Sequence, residues 1–589
     1  MGRPSYALRR RPPVACPPTW KDTIAGFLAR SWHEARLLRG RDVDLGTLPA
    51  VLAGAYGDRP AIVAETPAPG LPPRRLWSYR DLEDDTARLA AAHDALGHTS
   101  GARVALLLGN RVDLLLHVLA LVRAGGVPVL LHPRLRPLEI TEAVRASRAS
   151  FGIADPQVLA SPVAVDDASG ALRWRSSGAS GEPIASAPRA IRPEADLAAW
   201  LHAHPRARLG PTGRIGRHEA GLLLCTSGTT GRPKVAALTS EGLLRGFRPL
   251  VIAPIGRPHG LRAGRDALLC ALPLTHVMGV VTLLGALCAG VKIIHHESFQ
   301  AGEILAAIER ERPNIFVGVP TMYADLEAED ADRRDLSSVQ LWISAADVMP
   351  AARARRFQGR GAAVRTRGRT YGTALFADVY GMVELSGAAA VRVYPPCPWR
   401  GLRVPALACV LPGFEARTVD VSGRVRRWGA SGELQMRGPA VLRGYQGAPG
   451  EERRPEEWFA TGDFARLWPG GVFQFLGRRG DRLKVGGFSV FPAEVEAHLR
   501  VHPDVADLAV VGVPDARRGD ELVALVVPRR VPFDPVAFLA WSAERVAGYR
   551  RPRTAIVVDA LPRGRHGKID RAAATRIARE RRGTGSEVT

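Results

Sequence analysis

The stretch "CTSGTTGRPK", residues 225–234, follows the apolar run "GLLL" and packs hydroxyls, two glycines and a lysine into ten positions. Backbone N–H groups in a glycine loop, several hydroxyls and one ammonium are donors that cradle phosphate oxygens, because glycine lets the backbone come close. A triphosphate is the natural guest. The spacing departs from GxxxxGK[ST], since Pro233 precedes the lysine and Val235 follows it, which excludes the common phosphate-loop NTPase reading. Standing alone, the stretch also fits a Ser/Thr/Gly-rich surface turn.

The chain has 589 residues, too many for one ordinary domain, and two domains are expected. Hydrophobic residues at 46% and charged residues at 24% match globular usage and argue against disorder or a fibrous repeat. Cysteines 16, 225, 270, 288, 397 and 409 show no CxxC pair and no metal-like spacing, so a reducing, cytoplasmic setting is expected. The basic N-terminus has no apolar core of a secretory signal. Residues 277–291, "VMGVVTLLGALCAGV", lack charge but are shorter than the ~20 residues of a spanning helix, so a buried helix ending near Gly290 and a strand "VKIIHH" are expected, with at most peripheral membrane contact.

The formal charge of +23 invites a nucleic-acid reading, but of 81 basic residues only five are lysine, at 21, 234, 292, 484 and 568. Arginine is scattered through every segment, and no aromatic-interleaved basic motif is present, so no specific nucleic acid is expected. The basic tail from Arg571 to Arg582 reads as a solvated helix. Where such a chain keeps lysine, a compact, flexible ammonium is called for, which singles out Lys234, Lys484 and Lys568.

Short apolar strands alternate with helical segments, the pattern of an α/β fold with mostly parallel sheets. "SYRDLEDDTARLAAAHDALG" opens with Ser78 and Asp81 in capping-box spacing and sets Leu82, Leu89 and Leu96 on one face. "ARVALLLG" reads as a strand, "NRVDLLLHVLALVRAGG" as a helix and "VPVLL" as a strand; "ALLCALPL", "NIFVGVP" and "VQLWIS" continue the alternation. The expected organisation is an N-terminal extension at 1–50, a large domain of βαβ units at 51–479 and a small α+β domain at 480–589. The Pro- and Gly-rich patches at 66–74 and 445–455 read as surface loops.

"TSGTTGRPK" resembles the phosphate-binding signature of the adenylate-forming superfamily, which includes acyl-CoA synthetases, fatty acyl-AMP ligases, luciferases and peptide-synthetase adenylation domains. The resemblance continues in order through "LPLTHVMG" (272–279), "WISAADVMP" (342–350), "YGMVE" (380–384), "GELQMRGPAVLRGY" (432–445), "WFATGD" (458–463), "GRRGDRLKVGGFSVFPAEVE" (477–496) and "LPRGRHGKIDR" (561–571). The segment "FPAEVE" looks more like acyl-CoA synthetases than adenylation domains.

The resemblance implies that a carboxylate joins the α-phosphate of ATP with release of pyrophosphate, and that the acyl group then passes to a thiol, usually that of coenzyme A. Thr226, Ser227, Gly228, Thr229, Thr230, Gly231 and Lys234 would meet the phosphates, and Ala345, Ala346, Asp378, Tyr380 and Gly381 the nucleotide, with Tyr380 on adenine. Asp463 would accept both ribose hydroxyls and Arg478 would donate to the same sugar. Glu384 matches the magnesium-binding glutamate, a hard oxygen ligand suited to that ion. Lys568 matches the lysine bridging the carboxylate and phosphate oxygens, where negative charge builds up. Asp481 matches the hinge about which the small domain rotates, with Lys484 serving the thioester-forming orientation. A carrier-protein thiol stays open as an alternative acceptor.

Val383 stands where the family usually writes threonine, a departure for which water or Ser386 could compensate; without compensation the chain would be a weakly active or non-catalytic nucleotide binder. Gly480 replaces a common lysine, and Ser240 a frequent histidine. His276, Gly279 and Gly318 match the acyl pocket, although a histidine after a strand is also a common structural feature. His295, His296 and Glu297 alternate faces of a strand and so do not share a metal ion. The wall segments 276–280, 317–321 and 344–347 carry no cation, which points to a fatty or aryl carboxylate, with fatty acid metabolism as the expectation.

Overall fold

The computed structural model describes residues 43–583, apart from residues 134, 136, 156–190, 212–213, 228–232, 253–260, 367–368, 397–406, 447–453, 455, 486–487, 516–518, 547 and 565–567. The helix Tyr79–Ala95 begins at its capping box: Asp81 N donates to Ser78 Oγ at 3.1 Å and Ser78 N to Asp81 Oδ2 at 2.9 Å. Two backbone donors that a helix start leaves open are thereby satisfied. Leu82 and Leu89 are buried by it, and Leu96 is half-buried at its end. The helix Val112–Ala124 stops at Gly125, whose φ of 92° is the left-handed conformation glycine adopts without steric cost.

Two sheets of the large domain carry the βαβ units. One has the strand order Ile191–Pro193, Phe151–Ala154, Arg103–Leu107, Val127–Leu130, Ala220–Ser227, Pro233–Thr239, parallel except for the last pair. The other has nine strands; its middle, from Pro60–Ala64 through Lys292–His295, Ala267–Cys270, Ile315–Gly318 and Leu341–Ala345 to Leu375–Met382, is parallel. Their strands are apolar on both faces because helices cover them. The charge-free segment forms the helix Val277–Cys288, and Gly290 with φ 68° turns the chain into Lys292–His295. Among the described residues no helix is long and apolar enough to cross a membrane.

Antiparallel pairing begins well before residue 480. Gly387–Tyr394 returns beside Leu375–Met382, and Glu415–Val419, Ser431–Arg437, Phe459–Leu467 and Phe473–Arg478 form a separate antiparallel sheet. These strands alternate buried and open residues, as a sheet with one wet face does, so they escape a search for continuous apolar runs. The helix Leu48–Tyr56 crosses residue 50, and Val43, Leu45 and Leu48 lie in the main core, so residues 43–50 are part of the large domain's packing.

In the small domain the strand Gly519–Pro528 lies antiparallel to Val505–Asp515 and parallel to Thr554–Val557. The helices Pro492–Leu499 and Pro535–Ala543 cover one face, and Arg571–Gly583 the other. The basic tail is therefore amphipathic: Ala574 and Ala578 are fully buried.

Candidate active site

The alternation of the strand Phe459–Leu467 turns Thr461, Asp463 and Ala465 inward. Asp463 sits directly opposite Arg478 in the register with Phe473–Arg478, and Arg478 Nε lies 3.0 Å from Asp463 Oδ1. The Tyr380 hydroxyl donates to Asp463 Oδ2 at 2.6 Å. Burial raises the Asp463 carboxyl above its ordinary range, against the pull of Arg478, Tyr380 and Lys568. Burial and the Asp463 carboxylate push the Tyr380 hydroxyl well up, so it stays a donor. Oδ1 meets Arg478 as an ion pair but accepts no hydrogen bond from the described residues, so both Asp463 oxygens have lone pairs to offer.

Tyr380 comes from the strand Leu375–Met382, whose Gly381 is needed for a close approach: a Cβ there would meet Gly387 O at 1.8 Å. The following turn, Val383–Leu385, presents Glu384, half-buried, whose Oε1 accepts from the Tyr445 hydroxyl at 2.7 Å. Lys234 Nζ stands 5.0 Å from the centre of the Tyr445 ring. Tyr445, in a stretch that reads as a surface loop, is thus a site residue; its pairing with Ala236 carries it there. Thr226 and Ser227 pair with Lys234 and Pro233, which puts the opening hairpin beside Glu384. Gly228, Thr229, Thr230 and Gly231 lie outside the described residues.

Ser386 is buried, with φ 52°, and its hydroxyl faces Gly242 of the helix Ser240–Ile252, where a Cβ would come within 2.9 Å of Oγ. It therefore packs against that helix.

A third group gathers where Leu341–Ala345 ends. Ala346 has φ 73°, a strained conformation for a residue with a Cβ. Asp378 is turned to Arg392, whose Nη2 lies 2.5 Å from Oδ2, so its carboxylate supports this corner from inside; burial still raises it to about 6. Lys568 keeps solvent contact, yet crowding by protein lowers its ammonium, a shift that Asp347 and Asp463 oppose and Arg478 reinforces. Lys568, Asp463, Arg478 and Asp347 are thereby one electrostatic cluster. Lys484 stays outside it: exposed on the strand Leu483–Val485, its backbone N–H donates to Asp520 Oδ2 at 2.8 Å.

His276 caps the helix Val277–Cys288, its Nδ1 accepting from Met278 N at 3.3 Å. Gly279 is fixed by packing, since a Cβ would lie 2.1 Å from Pro273 O, and Gly318 is pressed against Phe316. His295 reaches Asn110 O at 2.8 Å while His296 meets Glu65 at 2.7 Å, so the two rings part.

A family model described as AMP-binding enzyme matches residues 51–446, and one described as AMP-binding enzyme C-terminal domain matches residues 494–568. A feruloyl-CoA synthase from Amycolatopsis sp is 32% identical, over 84% of this chain and 92% of that protein. An indoleacetate–CoA ligase from Aromatoleum aromaticum is 31% identical over the same shares. Among solved structures, ATP-bound MatB from Rhodopseudomonas palustris superposes with a TM-score of 0.71 at 26% identity, covering 91% of this chain and 99% of that one. An anthranilate CoA ligase in complex with anthranoyl-AMP has a TM-score of 0.73 at 22% identity, covering 91% and 98%, and speaks for the fold. With two domains matched in order, the chain belongs to the AMP-binding enzyme family.

Proposed function

We propose that this enzyme activates an aromatic carboxylic acid as its acyl-adenylate and transfers the acyl group to coenzyme A. It is an AMP-forming acid–thiol ligase that uses ATP with magnesium. The observation that carries the aromatic reading is that several relatives at 30–32% identity are named for feruloyl, indoleacetate and coumarate substrates. They favour an aryl acid over the fatty acid expected from the apolar wall segments alone.

The cluster supports a division of labour. A carboxylate oxygen attacks the α-phosphorus, the bond to the bridging oxygen breaks and pyrophosphate leaves. Lys568 steadies the charge gathering on the carboxylate and phosphate oxygens. Asp463 and Arg478 hold the ribose, Tyr380 lies against adenine, and Lys234 with residues 226–231 takes the outer phosphates. Glu384 fits a magnesium ligand: it is a half-buried hard-oxygen donor whose Oε1 is oriented by Tyr445. Magnesium, when bound, supplies positive charge to the phosphates. The thiolate then attacks the acyl carbon, its bond to the phosphate oxygen breaks and AMP leaves. We assign this step to an orientation reached by turning at Asp481, in which Lys484 replaces Lys568, and we place the domain junction at Arg479–Gly480.

The test is mass spectrometry of products after incubation with ATP, magnesium, coenzyme A and equal amounts of hydroxycinnamic, arylacetic, benzoic and fatty acids. Aryl-CoA thioesters together with AMP are expected. Fatty acyl-CoA as the dominant product overturns the aromatic reading.

A further inference from the structure

Arg571 follows Lys568 by three residues and opens the helix Arg571–Gly583. Its guanidinium is divided between two jobs. Nη1 and Nη2 grip the two oxygens of Glu496, at 2.8 and 3.2 Å, and Nη1 also donates to Val510 O at 2.9 Å. Glu496 is buried and holds two further donors, Val510 N at 2.8 Å and Arg500 Nη2 at 3.2 Å. That half of the guanidinium is therefore fixed within the small domain whatever the domain's orientation. The remaining nitrogen, Nε, faces out and lies 3.3 Å from Asp481 Oδ2, in the turn Arg479–Asp481 that joins the domains.

The segment between Arg571 and Lys568 transmits this tie. Asp570 N donates to Pro562 O at 2.9 Å and Gly564 N to Lys568 O at 2.8 Å, which ties the backbone at Lys568 and Asp570 to the chain before it. Resting on the function proposed above, we infer that Arg571 is a positioning residue: its contact with Asp481 latches the small domain in the adenylate-forming orientation, aims Lys568 at the site, and is released when the domain turns for thioester formation. The Phe464 and Phe491 rings 5.1 Å apart and Arg466 Nη1 3.4 Å from Glu494 Oε1 keep the domains together away from the junction, while Arg479 Nη1 3.4 Å from Glu433 Oε1 and the Arg482 guanidinium 5.7 Å from the Phe464 ring hold the junction to the large domain. The latch differs from them because it ties the turning segment, whose backbone must change for the domain to move, to the end of the small domain that carries Lys568.

Asp481→Ala removes the latch acceptor and leaves the Glu496 grip untouched; Arg571→Lys keeps a cation for Glu496 but lacks the third nitrogen. Both are compared with the wild-type enzyme in separate half-reactions, together with deuterium exchange of the peptide spanning 477–485. Misplacing Lys568 is expected to slow adenylate formation about tenfold or more in each variant, while conversion of supplied acyl-adenylate to thioester changes less than about threefold. The double variant is expected to be no slower than the slower single one, and exchange in the 477–485 peptide to rise. Equal losses in both half-reactions, or losses that multiply in the double variant, overturn the inference. Were the wild-type enzyme to form no adenylate with any acid, the functional reading would fall instead, and unchanged exchange at 477–485 in Asp481→Ala would then overturn the latch on its own.

Discussion

The Tyr445 hydroxyl donates to Glu384 Oε1 at 2.7 Å, joining residues 61 apart in sequence, while the ring of the same tyrosine lies 5.0 Å from Lys234 Nζ. One side chain thus orients a candidate magnesium ligand and stands beside a candidate phosphate ligand. A group that orients a metal-binding carboxylate contributes to metal affinity through the geometry it imposes. Tyr445→Phe keeps the ring and removes the donor, so the magnesium concentration for half-maximal adenylate formation is expected to rise about tenfold. Titration of the rate with magnesium checks this; an unchanged midpoint would place Glu384 outside metal binding.

Burial of Asp463, the proposed ribose ligand, comes at a cost to the fold. Its carboxyl is raised by burial, so the folded state binds its proton more tightly than the unfolded chain. The contribution to stability accordingly falls as pH rises from the ordinary carboxylate value through the folded one, and at pH 7 the charge destabilises the ligand-free protein. Asp463→Asn is expected to raise the melting temperature without ligand while weakening ATP binding tenfold or more, on the order of the cost of losing a hydrogen bond to a charged group. Thermal melts with and without ATP read both signs at once.

His93, His98 and His117 form a buried chain away from the site, with His93 Nδ1 2.9 Å from His98 Nδ1 and His93 Nε2 3.1 Å from His117 Nδ1. Burial lowers His117 from 6.5 to about 4, against the attraction of Asp113 and Asp155 and with the help of Arg111, and it lowers His93 well below its ordinary value. His93 and His117 stay neutral in the fold but gain protons when it opens. Stability is expected to be intact above pH 6.5 and to decline as pH falls toward about 4, by roughly 3 kcal/mol from His117 alone. Denaturant melts at pH 7 and pH 5 check this, and His117→Gln should flatten the difference.

Elements whose signals are local are legible in the sequence: the Ser78–Asp81 capping box, the glycine stop after Ala124, and the apolar parallel strands all stand where patterning puts them. The Asp463–Arg478 pair was within reach because both positions carry short motifs. Tyr445, Arg392 and Arg571 escaped as site residues because their meaning lies in partners fixed by register or domain packing. Arg392 faces Asp378 only once the strand Leu375–Met382 and its return strand are paired. The Arg571 guanidinium reaches Glu496 and Asp481 only after the small domain has closed on itself and on the junction. Ser386 could be weighed as a substitute hydroxyl because its left-handed backbone, which sends the side chain to Gly242, leaves no trace in sequence.

Under the function proposed above, Lys568, in the orientation seen here, drives adenylate formation while Lys484 serves thioester formation. Acid-dependent exchange of labelled pyrophosphate into ATP reads the first half-reaction alone. With an aryl acid the wild-type enzyme and Lys484→Ala are expected to exchange at comparable rates, and Lys568→Ala about a hundredfold or more slowly. Exchange that survives Lys568→Ala undiminished would contradict the account.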